Sequence, residues 1–464
     1  MLFLALGCVG QVSARAPSGR PFLICRWSLE ESVNAQGNRS ARRSEAECSE
    51  LSFLRGQTTS VVDQKSTSPS DYFALAAFSE RGYDVSNCDV PSCGCGIAAC
   101  GCSDCSWLDR LLSGDSWLTL DAAYRNEVFS NTRGGLNTMD ATRYTGRVDA
   151  LLTADLDCFL TGGVFVIHFQ SLHGEGITDQ HVGAQQRISN IDGNPGSGFD
   201  MTQVSQYFWQ RGFVDGLVTV KLGKILADSE FAGTTLAGDY INASFGWTHS
   251  LPLAAYPDPT AGVVTHVQLT DATGLKIGVF DGAPDGRNWG FSGTGDVETL
   301  FELRRQHDWR CMPGDIHVGL WYHNGSFANQ GGGGNLAGNH GVYCGLSQQL
   351  TRECCDDDQG LGTFVHFGWA PEDRNRVEEF LGGGLIYRGL LCGRDNDTIG
   401  VGVGTVLFSD DLVAPLGDET IFELFYKARI GERLVVQPDF QYFSNPGGQY
   451  PDSVVLGMRF EMTL

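Results

Sequence analysis

The sequence predicts an all-β fold, a transmembrane antiparallel β-barrel of about 16 strands preceded by a disordered and Cys-rich N-terminal region. Three observations carry that expectation. The closing stretch 419–464 holds three segments in which every second residue is apolar, a strand period and not a helix period. Each segment is about ten residues long, the length a tilted strand needs to cross a bilayer, whereas strands of soluble sandwiches usually run to about five or six. Beyond the N-terminus the sequence has no apolar run of about 18 residues, which leaves a closed barrel as the route across a membrane. The composition agrees: 61 Gly suit a crowded wall, and 27 Phe, 13 Tyr and 9 Trp suit aromatic girdles at the membrane rims.

Taken in order, residues 1–16 have a short apolar core and end in Ala14-Arg15-Ala16, which reads as a signal peptide and implies export. Residues 17–87 are polar and without sustained period, and read as disordered or as translated from a start codon placed too far upstream. The segment 88–106 gathers cysteines between Cys88 and Cys105 at CxC and CxxC spacings that can ligate zinc. An exported chain meets an oxidising compartment, so disulfides are the favoured reading; the total of 15 cysteines becomes even only if Cys8 leaves with the leader.

Across 107–464 the strand pattern does not stop. Leu118, Leu120, Ala122 and Tyr124 alternate with Thr119, Asp121, Ala123 and Arg125, and Val148, Ala150 and Leu152 with Asp149, Leu151 and Thr153. Gly163, Phe165, Ile167 and Phe169 alternate with Val164, Val166, His168 and Gln170. Further strands are predicted near 202–212, 215–224, 262–270, 274–281, 297–305, 314–323, 341–350, 360–370, 377–391 and 397–409. Short connections near 157–161, 213–214, 271–273, 392–396 and 431 fall between longer ones at 171–201, 225–261, 282–296, 324–340 and 444–453. That alternation is expected of a barrel with turns on one rim and loops on the other, although 306–313 and 351–359 are long for the turn rim.

In the last three strands one face carries Phe422, Leu424 and Tyr426, then Val436, Pro438, Phe440 and Tyr442, then Leu456, Met458 and Phe460. The other carries Glu423, Lys427, Gln437, Asp439, Gln441, Arg459 and Glu461, with Ile421 and Phe425 as apolar intruders. The first face is predicted to meet lipid and the second the pore. Pro438 is the awkward member, because proline cannot donate to a ladder.

The formal charge of −23 lacks the basic footprint of a nucleic-acid binder. It suits an acidic, cation-favouring lumen and acidic external loops equally. The sequence has no nucleophile elbow, P-loop, HExxH or dinucleotide-binding glycine pattern in the right setting. Glu419 and Glu423 invite a glycosidase reading, yet a lumen wall already accounts for them. The seven polar residues of the inner face offer donors and acceptors that could replace water around a hydroxylated solute. The loop Ile225 to Ala261 is the other candidate, since folded inward it would narrow the lumen, and lying outside it would not.

A series of segments then resembles a known family: HVGAQQRISNIDG at 181–193, LGKILADSEFA at 222–232, INASFG at 241–246, MPGDIHVGLWYHNGSF at 312–327, FVHFGWAPEDRN at 364–375, GLLCGRDNDTIGVG at 389–402, and ETIFELFYKARIGERLVVQPDFQYFSNPGG at 419–448. In order and coverage they are similar to the carbohydrate-selective porins of the OprB type. The resemblance implies a barrel in the bacterial outer membrane, commonly a homotrimer, that passes sugars passively through a constricted, water-filled, charge-lined channel. It implies neither a cofactor nor an enzymatic activity. Lys224, Glu230, Asn242, Glu423, Gln437, Asp439, Gln441 and Arg459 fall in or beside its motifs; with Lys427 and Glu461 they are the pore-lining and sugar-contact candidates. The expected partners are carbohydrate solutes and outer-membrane lipid, with no nucleic acid. A general or cation-preferring porin, and a soluble secreted β-protein that binds or cleaves glycans, are the alternatives.

Overall fold

The computed structural model describes residues 23–26, 29–33, 39–43 and 47–50, then 117–463 apart from 157–161, 193–199, 247–248, 252–254, 285–288 and 354–358. The chain divides into two units, Met1–Ser66 and Thr67–Leu464. In the first, β1 (Leu23–Arg26) pairs antiparallel with β4 (Glu47–Glu50), and β2 (Leu29–Val33) with β3 (Arg39–Arg43). These ribbons fall within the stretch 17–87. The signal-peptide and Cys-rich readings lie outside the described residues.

The second unit carries a closed barrel. Its strands are β5 (Leu118–Arg133), β6 (Thr142–Asp155), β7 (Val164–Gly174), β8 (Met201–Phe213), β9 (Val218–Ile225), β10 (Thr260–Thr270), β11 (Thr273–Asp281) and β12 (Val297–Trp309). They continue as β13 (Met312–Ala328), β14 (Asn335–Gln349), β15 (Gly360–Trp369), β16 (Val377–Arg388), β17 (Thr398–Phe408), β18 (Glu419–Ile430), β19 (Leu434–Ser444) and β20 (Ser453–Thr463). Each of the sixteen pairs antiparallel with its neighbours in sequence, and β20 returns to β5, so no edge is left. Among the described residues no helix is long and apolar enough to cross a membrane.

Alternation sets the two faces. Leu424 and Leu456 point outward and stay 42% and 48% exposed, while Glu423 and Gln441 point inward and are fully buried. This is the register expected for the last three strands. Pro438 lies on the outer face, where β19 pairs with β20 through Pro438 and Met458. Against β18, pairing runs to Phe425 with Asp439 and resumes at Ala428 with Val436, so the absent N–H falls in a gap of that ladder. The facing can be tested on two neighbouring residues. Asp439→Leu is expected to change conductance with little loss of assembly, and Phe440→Asp to impair membrane assembly, since charge on the lipid face is destabilising. A reversed pair of phenotypes in a heat-dependent gel-mobility assay would mean a register wrong by one residue.

The rims differ in one respect from expectation. Strands β12 and β13 run on until only Arg310 and Cys311 connect them, so the turn expected over 306–313 is a two-residue hairpin. Both residues adopt positive φ, 53° and 63°, as the favoured hairpin twist requires, yet neither is the Gly or Asn that would announce it. Likewise β13 and β14 extend for 17 and 15 residues and shorten the loop expected at 324–340 to 329–334.

The interior is not uniformly polar. Phe280, Leu300, Trp321, Tyr343, Phe364 and Phe380 line successive strands β11–β16 from inside, each no more than 1% exposed. The first five are covered because described residues of two connections on the loop rim, 175–200 and 226–259, pack against the inner wall and form apolar clusters with it, while Phe380 clusters with Val377, Val406 and Phe408 under Leu412 and Leu416. The intruders Ile421 and Phe425 belong to one such cluster, with Tyr240, Ile241 and Phe245 of the second loop.

Candidate functional site: the loop-narrowed lumen

The loop after β9 is tied to the inner wall at three places, the first on β12 and the others across the barrel on β16–β18. At the first, the Ala232 N–H donates to Glu302 Oε2 at 2.8 Å, and Tyr343 Oη donates to the same oxygen at 3.1 Å. At the second, Tyr240 packs between Phe245, Phe364 and Phe425, with ring centroids 4.6, 5.3 and 4.9 Å away. Its hydroxyl lies 2.9 Å from the Leu385 carbonyl and 2.7 Å from that of Val401. The wall admits these rings because it is glycine there: a Cβ on Gly402 would stand 2.7 Å from Tyr240 and 2.8 Å from Phe245. At the third, the Glu423 carboxylate accepts the Ile241 N–H at 2.7 Å and the Asn242 N–H at 3.1 Å.

Around this third tie most of the residues singled out from sequence come together. Lys427 Nζ donates to Asp239 Oδ1 at 2.6 Å and Gln437 to the Asp239 carbonyl at 2.8 Å. Asn242 Nδ2 donates to Gln441 Oε1 at 3.1 Å, and Gln441 Nε2 donates to both the Ile188 carbonyl and Asp439 Oδ1 at 2.9 Å. Arg459 bonds Glu127 and Asn190, and Glu461 pairs with Arg125 at 3.0 Å. Glu230 stands apart on the other side of the loop, where it meets Lys221, and Lys276 donates to its carbonyl at 2.9 Å. Lys224 falls in the outward register with Leu222, between Tyr207 and Ala261, and donates to the Val204 carbonyl at 3.0 Å. All ten are nearly buried; Glu423, Lys427, Gln437, Gln441 and Arg459 hold the two inward loops, while Asp439 and Glu461 bond other wall residues.

Alternation on β20, β5, β6 and β7 also extends the candidates Arg459 and Glu461 into a charged stripe. Arg459 and Glu461 face Glu127 and Arg125, and Arg125 faces Arg147. Asp149 collects Arg147 at 2.8 Å, His168 at 2.9 Å and Gln170 at 3.0 Å. The signal was present, since Arg125, Asp149, His168 and Gln170 occupy the polar phase of their strands. A second group joins Arg304 to Asp315 at 2.8 Å, to Glu302 at 3.2 Å and to the Gly233 carbonyl at 2.6 Å. Side chains that keep water access here include Asp239 (20%), Arg304 (25%) and, on the first inward loop, Arg187 (27%) with its partner Asp179 (42%). Opposite charges are interleaved throughout, so the wall offers many donors and acceptors with little net field at close range. Among the described residues no three His, Cys, Asp or Glu side chains are grouped to hold a metal ion.

One loop carboxyl is left incompletely satisfied. Asp228 is half-buried, takes the Tyr256 N–H at 3.1 Å on Oδ2, and has no hydrogen-bond partner for its enclosed Oδ1. Burial pushes its pKa up to about 6, against the opposing pull of the Tyr256 N–H and of Arg147. A raised folded-state pKa means that the neutral acid is preferred in the fold. Stability from this group is therefore fully present below about pH 4, is lost as pH rises through about 6, and amounts to something on the order of 3 kcal/mol. Asp228→Asn is expected to flatten the thermal-stability profile between those limits; an unchanged slope would remove Asp228 as its source.

Comparison with known proteins agrees with this architecture. The family model described as carbohydrate-selective porin, OprB family, matches residues 140–464. Porin B of Pseudomonas aeruginosa is 22% identical over 394 residues, covering 73% of this chain and 86% of that protein. The high-pH structure of Pseudomonas putida OprB superposes with a TM-score of 0.68 at 20% identity, over 75% of this chain and 94% of that one. The low-pH structure gives 0.52 at 18% identity over 75% and 92%.

Proposed function

The chain belongs to the OprB family of carbohydrate-selective porins, and from that premise we propose that sugars diffuse past the loop-narrowed section by exchanging hydrogen bonds with Asp239, Arg304 and Arg187. The observation that carries this reading is the division of labour in the wall. Most buried candidates, Glu423, Gln437, Gln441 and Arg459 among them, hold the inward loops in place. Asp239, Arg304 and Arg187 also take part in such contacts, yet their residual water access leaves part of each side chain to meet solute. Interleaved opposite charges favour a neutral polyhydroxyl solute over an ion of either sign, because donors and acceptors are dense while the net field is small. Binding must stay weak for release, so no tight pocket is needed. Part of the −23 charge lies outside the strands: Asp410, Asp411 and Asp418 sit on the 409–418 connection of the loop rim, while Glu372 and Asp373 on 370–376 are offset by Arg374 and Arg376.

The proposed location is the bacterial outer membrane, with the long loops facing outward, the lipid-facing band in contact with outer-membrane lipid, and a homotrimer as the assembly. Liposome swelling compares sugars with amino acids of equal size. Faster sugar entry is expected, with Arg304→Ala and Asp239→Ala narrowing the difference; equal wild-type rates would withdraw carbohydrate selectivity for this chain.

A further inference from the structure

In the connection 282–296 between β11 and β12, Trp289 and Gly290 lie against the outside of the wall. The Gly290 carbonyl takes the Ala261 N–H at 2.6 Å and Thr260 Oγ1 at 3.0 Å, and Tyr207 Oη donates to the Trp289 carbonyl. Tyr207 and Ala261 both lie in the outward register, opposite Lys224, and Gly290 sits so close to Ala261 that a Cβ there would come within 3.1 Å of it. The loop is thus folded back over the outside of the wall. It presents Trp289 and Phe291 at 78% and 77% exposure, among the most exposed large apolar side chains of the described residues. The outward apolar band begins two positions along the same ladder, where Val263 pairs with Leu222 and Val279, which are 52% and 44% exposed.

We propose that this loop is a membrane hook, with Trp289 and Phe291 seated at the headgroup–acyl boundary of the leaflet on the loop rim. Two large aromatics held out from a protein have unfavourable hydration, and the boundary of a bilayer suits rings with an apolar body and, for Trp, a donor. Continuity with the lipid-facing band selects lipid over a soluble partner, and the backbone bonds of Gly290 fix the loop so that little ordering entropy is lost on insertion. The hook rests on the outer-membrane reading above.

The test uses the full chain folded into phosphatidylcholine vesicles carrying bromine either near the headgroup end or near the methyl end of the acyl chain. The difference between wild type and Trp289→Phe isolates one of the 9 tryptophans. The expected result is that the Trp289 component is quenched strongly by the shallow bromine and weakly by the deep one. A water-like emission untouched by either lipid overturns the hook. So does a blue-shifted component that bromine leaves alone and that disappears on dilution of protein in lipid, since it assigns the loop to a second copy. Flotation with the vesicles and heat-dependent mobility are read on the same samples. Failure of those two counts against the membrane barrel itself, whereas failure of quenching alone counts against the hook.

Discussion

Tyr240→Ala is expected to open the channel. The side chain is 1% exposed and supplies the middle tie of the inward loop, between Phe245, Phe364 and Phe425 and beside two wall carbonyls. Deleting a buried aromatic side chain costs about 3–5 kcal/mol when the cavity cannot collapse. Here the cavity lies between a rigid wall and a loop, so the loop has a cheaper response, which is to leave. Single-channel conductance should rise, the size limit should relax, and the discrimination of sugars from amino acids should shrink. Gly402→Val attacks the same contact from the wall: a side chain there meets the Tyr240 and Phe245 rings, and overpacking of this kind costs about 1–3 kcal/mol. Both variants should shift conductance in the same direction. Wild-type conductance in both, with wild-type heat stability, would mean that the aromatic tie does not hold the loop.

The strands were legible in the sequence because a barrel wall meets two different solvents. Lipid outside and polar groups inside impose a period of two, so Leu424, Leu456 and Phe460 on one phase and Glu423, Arg459 and Glu461 on the other reveal both the strand and its facing. The pattern blurred where the inside is not solvent. Ile421 and Phe425 read as intruders on the pore face, yet they are core residues packed on a loop that lies nearly 180 positions away in the chain, Tyr240 to Phe245. Turn chemistry blurred too: Arg310 and Cys311 take positive φ without the residue types that usually signal it.

The convergence of the inward-facing residues was legible in the sequence, and their partners were not. Facing alone selected Glu423, Gln437, Asp439, Gln441 and Arg459, and they do converge. Their hydrogen-bond partners Ile188, Asn190, Asp239 and Ile241 come from loops with no period, and nothing in the sequence says which wall a loop will meet. The glycines of the wall were read as relief of crowding; the closer account is that Gly384 and Gly402 make room for the rings of that loop.

Glu423→Ala should release the loop from its third tie. It removes an acceptor for two buried N–H groups, Ile241 and Asn242, and each donor left unpaired costs about 1–3 kcal/mol. Glu423→Gln should fall between, since the amide keeps one acceptor oxygen but turns its own N–H toward a second donor. The graded order separates anchoring from direct contact with solute. If Glu423 anchors the loop, both variants raise conductance, admit amino acids faster and melt earlier, alanine more than glutamine. If it instead contacts sugar, conductance and melting stay at the wild-type level and only sugar entry slows. The two bonded N–H groups predict the first pattern, because a carboxylate already taken by two backbone donors has little left to offer a passing hydroxyl, and releasing it would cost the loop its hold on β18.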